Sequence, residues 1–253
     1  MLAQFFILYL GCFSGLLALY VGCGLMLSRA NARHPDRRIQ ARPQPDIVAA
    51  EVRQSVVALI EIAALLAGGL WLQARGWTLA PIDVSIAHPW SIVAALGLLA
   101  LSLILYDAWF YWGHRLLHWK PLYRFHQLHH RSIVPTPWSN NSDTLVGAFI
   151  EQAYFLVVPF ILPLPAAFIV LHKIYDQVTG MIGHAGHEYF ASPTARRPWP
   201  LLCTTFHDQH HGAFHYNFAN TFSIWDRAMG TLHPRYDRMV EQLEAKTEPS
   251  GRQ

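Results

Sequence analysis

Charge is what this 253-residue chain has least of: Asp, Glu, Lys and Arg make up 14% of it, against about 25% in an average soluble domain. A chain so short of ionic surface, and 53% hydrophobic, is neither a disordered tail nor an ordinary cytosolic enzyme. Cysteine is scarce too. Cys12, Cys23 and Cys203 are the only three, which excludes a disulfide framework and a thiolate zinc site. No glutamate stands inside a histidine motif in the manner of H-E-x-x-H, so a zinc hydrolase would lack its usual base. The net charge of +3 is mild, and no nucleic-acid partner is expected.

Long apolar runs are present in their place. From Gln4 to Ser28 no residue is charged, and at about 1.5 Å per residue that run crosses a hydrocarbon core of about 30 Å. It lacks the basic n-region and small-x-small site of a cleaved signal peptide. A second span runs from about Ser55 to Gln73, interrupted only by Glu61, and a third from about Trp90 to Trp112, interrupted only by Asp107. The segment from Leu145 to Met181 is apolar but broken by Pro163-Leu164-Pro165, where prolines end a helix, and reads as a helical hairpin. The expected fold is an all-α integral membrane bundle of about three spans plus a hairpin, with a cytoplasmic helical cap. It divides into transmembrane helices and loops (1–112), two histidine groups (113–144), the hairpin (145–182), two further groups in the cap (183–240) and a polar tail (241–253). Arg29, Arg33, Arg37, Arg38 and Arg42 follow the first span directly. The positive-inside rule puts that end, and with it every histidine group, in the cytoplasm and the N-terminus outside.

Ten of the fifteen histidines fall in four tight groups. These are His114 and His118 in H-R-L-L-H, His126, His129 and His130 in H-Q-L-H-H, His184 and His187 in G-H-A-G-H, and His207, His210 and His211 in H-D-Q-H-H. On a helix, positions i, i+3 and i+4 share a face, so each group aims its imidazoles at a common point. Such a face binds metal, and this many neutral nitrogens exceed what one ion accepts. Two metals follow. Whether His187 reaches the site with His184 is left open by the spacing. His34, His88, His172, His215 and His233 stand alone and read as structural. Imidazole suits zinc, copper, nickel and iron alike. The missing base argues for a redox pair, two iron ions that activate dioxygen against an inert, greasy C–H bond.

Imidazoles bring no negative charge, so carboxylates are expected behind them. The candidates are Asp107, seven residues before His114, Asp208 within the last group, Glu188 after His187, and Asp226, with Asp143 a further option. A metal transporter would need ionisable residues through the depth of several spans, and only Glu61, Asp107 and Glu151 enter them.

Two stretches carry a resemblance. Asp107 to His118, D-A-W-F-Y-W-G-H-R-L-L-H, and Phe206 to Thr231, F-H-D-Q-H-H-G-A-F-H-Y-N-F-A-N-T-F-S-I-W-D-R-A-M-G-T, resemble the first and last histidine boxes of the fatty acid hydroxylase and sterol desaturase superfamily. The resemblance spans Asp107 to Pro234 and is nearest to 4-methylsterol oxidases and sphinganine hydroxylases. It implies a di-iron, oxygen-dependent membrane oxidoreductase in which His114, His118, His126, His129, His130, His184, His207, His210 and His211 match ligand positions. At the position of His187 the family often has tyrosine or another non-ligand, which argues against an essential role there. The implied reaction is hydroxylation of a sterol, sphingoid or fatty acyl lipid, with desaturation of the same substrate class as the alternative. Zinc can replace the iron in a purified sample. Electrons would come from a separate cytochrome b5-like or ferredoxin-type donor, drawn to Lys120, Arg124, Arg131, Arg196 and Arg197.

Overall fold

The computed structural model describes residues 2–43 and 45–247. Helix is the only extended regular structure among them, since the two β-bridges, Arg38 with His187 and Leu201 with Phe222, are isolated pairs. Three helices are long and apolar enough to cross a membrane: α1 (Leu2–Arg33), α2 (Val48–Ala74) and α3 (Pro89–Leu117). Only α2 is largely enclosed, with 56% of its most apolar window buried against 11% for α1 and 22% for α3. In lipid an outward-facing leucine costs nothing, so packing between spans is decided by small and polar groups. Gly69 of α2 shows this: a Cβ there would meet the Phe155 carbonyl oxygen of the neighbouring helix.

After α3 the chain crosses a loop region and returns through α4 (Leu145–Gln152), α5 (Tyr154–Ile161) and α6 (Ala166–Gly183). The break between α5 and α6 falls at Leu162–Pro165, where Pro163 and Pro165 withhold backbone donors. Inside this bundle Lys173 is 1% exposed. Its ammonium is satisfied by Asp176 at 2.6 Å and Gln152 at 2.5 Å, the pairing that a buried charge requires.

The cap is built from α7 (Thr204–Gly212), α8 (Ile224–Met229) and α9 (Tyr236–Thr247) around a second core of Tyr111, Phe206, Phe218, Tyr236 and Val240. The expected polar tail therefore begins inside a helix, because Val240 of α9 is buried in that core. Residues 248–253 of the tail lie outside the described residues. Trp138 ties the loop at 118–144 to the bundle. Its carbonyl accepts from Tyr20 Oη (2.7 Å) and Ser55 Oγ (3.0 Å), its indole donates to Ser28 Oγ (3.1 Å), and Gly24 leaves room for the ring.

Candidate dimetal centre

Nine of the ten grouped histidines converge where α3, α6 and α7 meet the loop at 118–144. They sort into two sets: His114, His118, His126, His130 and His210, and His129, His184, His207 and His211. Within each set the ligand atoms lie within 4.8 Å of one another. The local backbone differs from the helical expectation. His114 and His118 close α3 and the last group rides α7, but residues 123–131 form single 3-10 turns, Tyr123–Phe125 and His129–Arg131. The consequence is a splitting of neighbours. His129 and His130 have rings 87° apart and serve different sets, as do His210 and His211 at 86°. On α7 the i, i+4 pair His207 and His211 shares one face, and His210 turns to the other set.

The nitrogen chemistry suits a cation. His114 Nδ1 donates to Phe218 O (2.9 Å), His210 Nδ1 to Tyr216 O (2.6 Å), His184 Nδ1 to Gly180 O (2.8 Å) and His129 Nδ1 to Ser142 O (3.3 Å). A carbonyl only accepts, so each Nδ1 carries the proton and each Nε2 a lone pair. Yet His129 Nε2 and His184 Nε2 face each other at 3.3 Å, an arrangement of two acceptors that only a shared positive ion makes favourable. Buried His114 Nε2 and His126 Nε2 have no partner in the protein. Burial, then neighbouring imidazoles, keeps the rings neutral: His118 is pushed down to about 2, and burial alone takes His184 to about 4. His126, His129, His130, His207, His210 and His211 are pushed well below the ordinary value, by burial before any neighbour. Neutral imidazole is the metal-binding form.

The carboxylates lie elsewhere than expected. Asp143 alone receives a hydrogen bond from an imidazole among the described residues, His126 Nδ1 at 2.7 Å. Asp107 Oδ1 instead accepts the backbone N–H groups of Asn220, Thr221 and Phe222 at 3.3, 2.7 and 3.1 Å. Asp226 accepts those of Phe218 and Ala219 at 2.9 Å each. Together they fix the loop whose Phe218 carbonyl orients His114. Glu188 takes Thr205 N (2.8 Å) and Oγ1 (2.6 Å) at the start of α7. Asp208 pairs with Arg42 at 2.7 Å instead of with an imidazole. Asp107, Asp226 and Glu188 bind backbone amides and Asp208 an arginine, which a sequence spacing does not reveal. Nor do the acceptors Phe218, Tyr216, Ser142 and Gly180, because a carbonyl belongs to every residue.

His187 stands outside both sets. Helix α6 ends at Gly183, and Gly186 at φ +66° turns the chain, so the i, i+3 relation to His184 does not hold. Its Nδ1 donates to Ala185 O at 3.3 Å. Of the lone histidines, His172 is bonded to Ser102 Oγ at 2.9 Å within the bundle.

A cavity of about 340 Å³ opens against both sets, touching His114, His129, His184 and His207. Its wall includes Asp176, Glu151 and Thr221, and Phe190, Leu201 and Leu202 supply apolar lining. Phe190 and Leu201 are 52% and 42% exposed.

A helical membrane bundle whose cap carries two buried imidazole clusters, each able to hold a metal ion, is thus the class of protein defined here. Residues 99–231, more than half the chain, match the fatty acid hydroxylase family, and the chain belongs to that family, within the fatty acid hydroxylase and sterol desaturase superfamily. It is 27% identical over 200 residues to lathosterol oxidase of Homo sapiens, covering 78% of this chain and 66% of that one. It is 33% identical over 131 residues to lathosterol oxidase of Mus musculus (51% and 42%). With the Delta(7)-sterol 5(6)-desaturase of Saccharomyces cerevisiae it shares 32% over 137 residues (53% and 36%). The chain thus spans between about a third and two thirds of the length of these relatives. No solved structure matches.

Proposed function

We propose that this protein is an iron-dependent, oxygen-consuming membrane oxidoreductase that removes hydrogen from an unactivated C–H position of a sterol-type lipid. The observation that carries the reading is the pair of buried imidazole sets, five and four nitrogens strong, beside a cavity of about 340 Å³. When bound there, two iron ions supply the dioxygen activation that side chains cannot. The protein's own residues do the rest. His114, His118, His126, His130 and His210 would hold one ion, and His129, His184, His207 and His211 the other. Phe218 O, Tyr216 O, Gly180 O and Ser142 O hold the ring protons on Nδ1 and so keep Nε2 directed inward. Phe214 and Phe218 pack on His130 and His118 at 4.6 and 5.1 Å between ring centroids, and exclude water from that side.

Desaturation is favoured over hydroxylation, because the relatives are named for sterol desaturation or lathosterol oxidation. A separate one-electron donor is part of the proposal. Lys120, Arg124 and Arg131 remain candidates for its docking face, whereas Arg196 is engaged by Glu244 at 3.0 Å. A cytoplasmic placement of the cap, with the N-terminus outside, rests on Arg29, Arg33, Arg37, Arg38 and Arg42. The test is reconstitution of the full chain in lipid with iron, a reductant and a Δ7 sterol, followed by mass spectrometry. Loss of two hydrogens supports desaturation and gain of one oxygen atom hydroxylation. Unchanged sterol in protein carrying both irons overturns the reading.

A further inference from the structure

The cap carries an exposed apolar rim that neither imidazole set uses. Trp199 is 57% exposed, and Phe190, Leu201 and Ile224 are exposed with it. No residue from Pro198 to Thr205 or from Asn217 to Trp225 is charged. The height of the rim is set by hydrogen bonds to α3. Asp107 Oδ1 accepts the N–H groups of Asn220, Thr221 and Phe222, and Leu201 bridges Phe222. Asp107 stands ten residues before the end of α3 at Leu117, about 15 Å down the helix axis. The rim therefore lies beside the apolar span and not above it. On α3 itself Trp109, Trp112 and Leu116 remain exposed beyond Asp107, at steps of three and four that keep them on one face. Trp225 of α8 meets that face at Trp112, with 6.0 Å between ring centroids.

The backbone of the rim is prepared for lipid. An irregular segment placed against a bilayer has to pair its own polar groups, because hydrocarbon offers none. Trp199 N donates to Arg196 O at 2.9 Å, and Ser223 N donates to Pro200 O at 2.7 Å. Pro198 and Pro200 carry no N–H, and Asp107 takes the three amides before Ser223. The charges that bound the uncharged stretches suit the same surroundings: Asp226 is fully buried, and exposed Arg197 has a stem long enough to carry its guanidinium to the headgroups. Elsewhere the cap is different, since α9 exposes Arg238, Glu241 and Lys246. A protein partner also covers apolar surface, but this rim continues the exposed face of α3, which a bilayer covers already. We propose that Trp199, Leu201 and Ile224 are immersed in the bilayer at the boundary between headgroups and hydrocarbon, where tryptophan is favoured, so that the cap docks on the membrane by this edge. Phe190 and Leu201 also line the cavity, which sets lipid against that part of its wall. The inference is independent of the chemistry proposed for the imidazoles.

The test uses the full chain in phosphatidylcholine nanodiscs and reads Trp199 as the fluorescence that the wild type has and Trp199→Phe lacks. Replacing the lipid by phosphatidylcholine brominated in the upper part of its acyl chains should remove most of that difference emission, and aqueous iodide should leave most of it. Stronger quenching by iodide than by the brominated lipid puts Trp199 in water and overturns the inference. Quenching by neither means that protein covers the rim, a second copy of this chain included, and overturns it as well. A second substitution reads the other half of the rim without relying on Trp199→Phe. The thiolate is the form that reacts with a maleimide, and a thiol set against hydrocarbon ionises poorly. In nanodiscs a charged maleimide should therefore label Ile224→Cys more slowly than Glu241→Cys on α9 by about tenfold or more, the effect of a thiol pKa raised by one unit. Wild-type protein, with Cys12 and Cys23 in α1 and Cys203 buried, supplies the background. Equal labelling at the two positions overturns the inference.

Discussion

The two imidazole sets are built differently. Among the described residues, the five-membered set has the only carboxylate that accepts from a ring, Asp143 on His126, and carbonyls behind His114 and His210. The four-membered set has carbonyls alone, behind His129 and His184. It is also one ligand poorer. A carboxylate behind an imidazole raises the basicity of the far nitrogen, so the five-membered set should hold its ion more tightly. Two metal sites made from the same doublets of adjacent histidines are thereby made unequal, and the inequality can be broken or sharpened by substitution.

The largest effect is expected from His129→Ala. It leaves three ligands in the weaker set, so metal analysis of the purified variant should find about one iron fewer per chain and turnover should vanish, a loss on the order of 100-fold or more for a catalytic metal. His210→Ala leaves four ligands in the stronger set, and should retain more iron than His129→Ala while also losing turnover. Equal metal loss in the two variants would remove the asymmetry. Asp143→Asn comes next: a competition titration with a chelator should show affinity falling by roughly 10–100-fold at one site only.

Acidification of chelator-stripped protein reports on both sets together. The unfolded rings take up protons below their ordinary value of 6.5, whereas folded His184 stays neutral to about 4 and folded His118 to about 2. A depressed folded value means that stability is full above 6.5 and falls as the pH drops through that window, by about 1.4 kcal/mol per pH unit for each such ring. Thermal melts between pH 8 and pH 5, flat above about 6.5 and steep below it, would fit; a melt insensitive to pH would show that the rings are not buried and neutral. The smallest effect belongs to His187→Ala. That residue serves neither set, so iron content and turnover should stay within about twofold of wild type, in the range of an ordinary surface change.

Much of this was legible in the residues, for reasons that differ by region. The spans could be read because a hydrocarbon core imposes one length and one composition on any helix crossing it; α1, α2 and α3 all contain the expected runs, including Glu61 and Asp107 inside them. The histidine groups could be read because imidazoles at that density have little other purpose. Orientation of each ring could not. The spacing of His126, His129 and His130 suggests one helical face, but Pro121 and the short turns that follow do not continue α3. Likewise His187 lies three residues from His184 yet beyond a left-handed glycine. Asp107 was noticeable as a carboxylate in an apolar helix, but its three partners are backbone amides more than a hundred residues away, invisible to any local pattern.

What the chain determined by its residue order alone is therefore the membrane-spanning helices, the clustering of ten histidines and the lack of a thiolate zinc site or an H-E-x-x-H base, because hydropathy and ligand type are properties of single side chains and their near neighbours. What only the tertiary structure decided is which histidine belongs with which: the assignment of His129 and His130 to opposite sets, the exclusion of His187 and the choice of Asp143 over four other carboxylates. Each depends on where a side chain points after distant segments have packed, and packing is a relation among parts of the chain that sequence proximity does not encode.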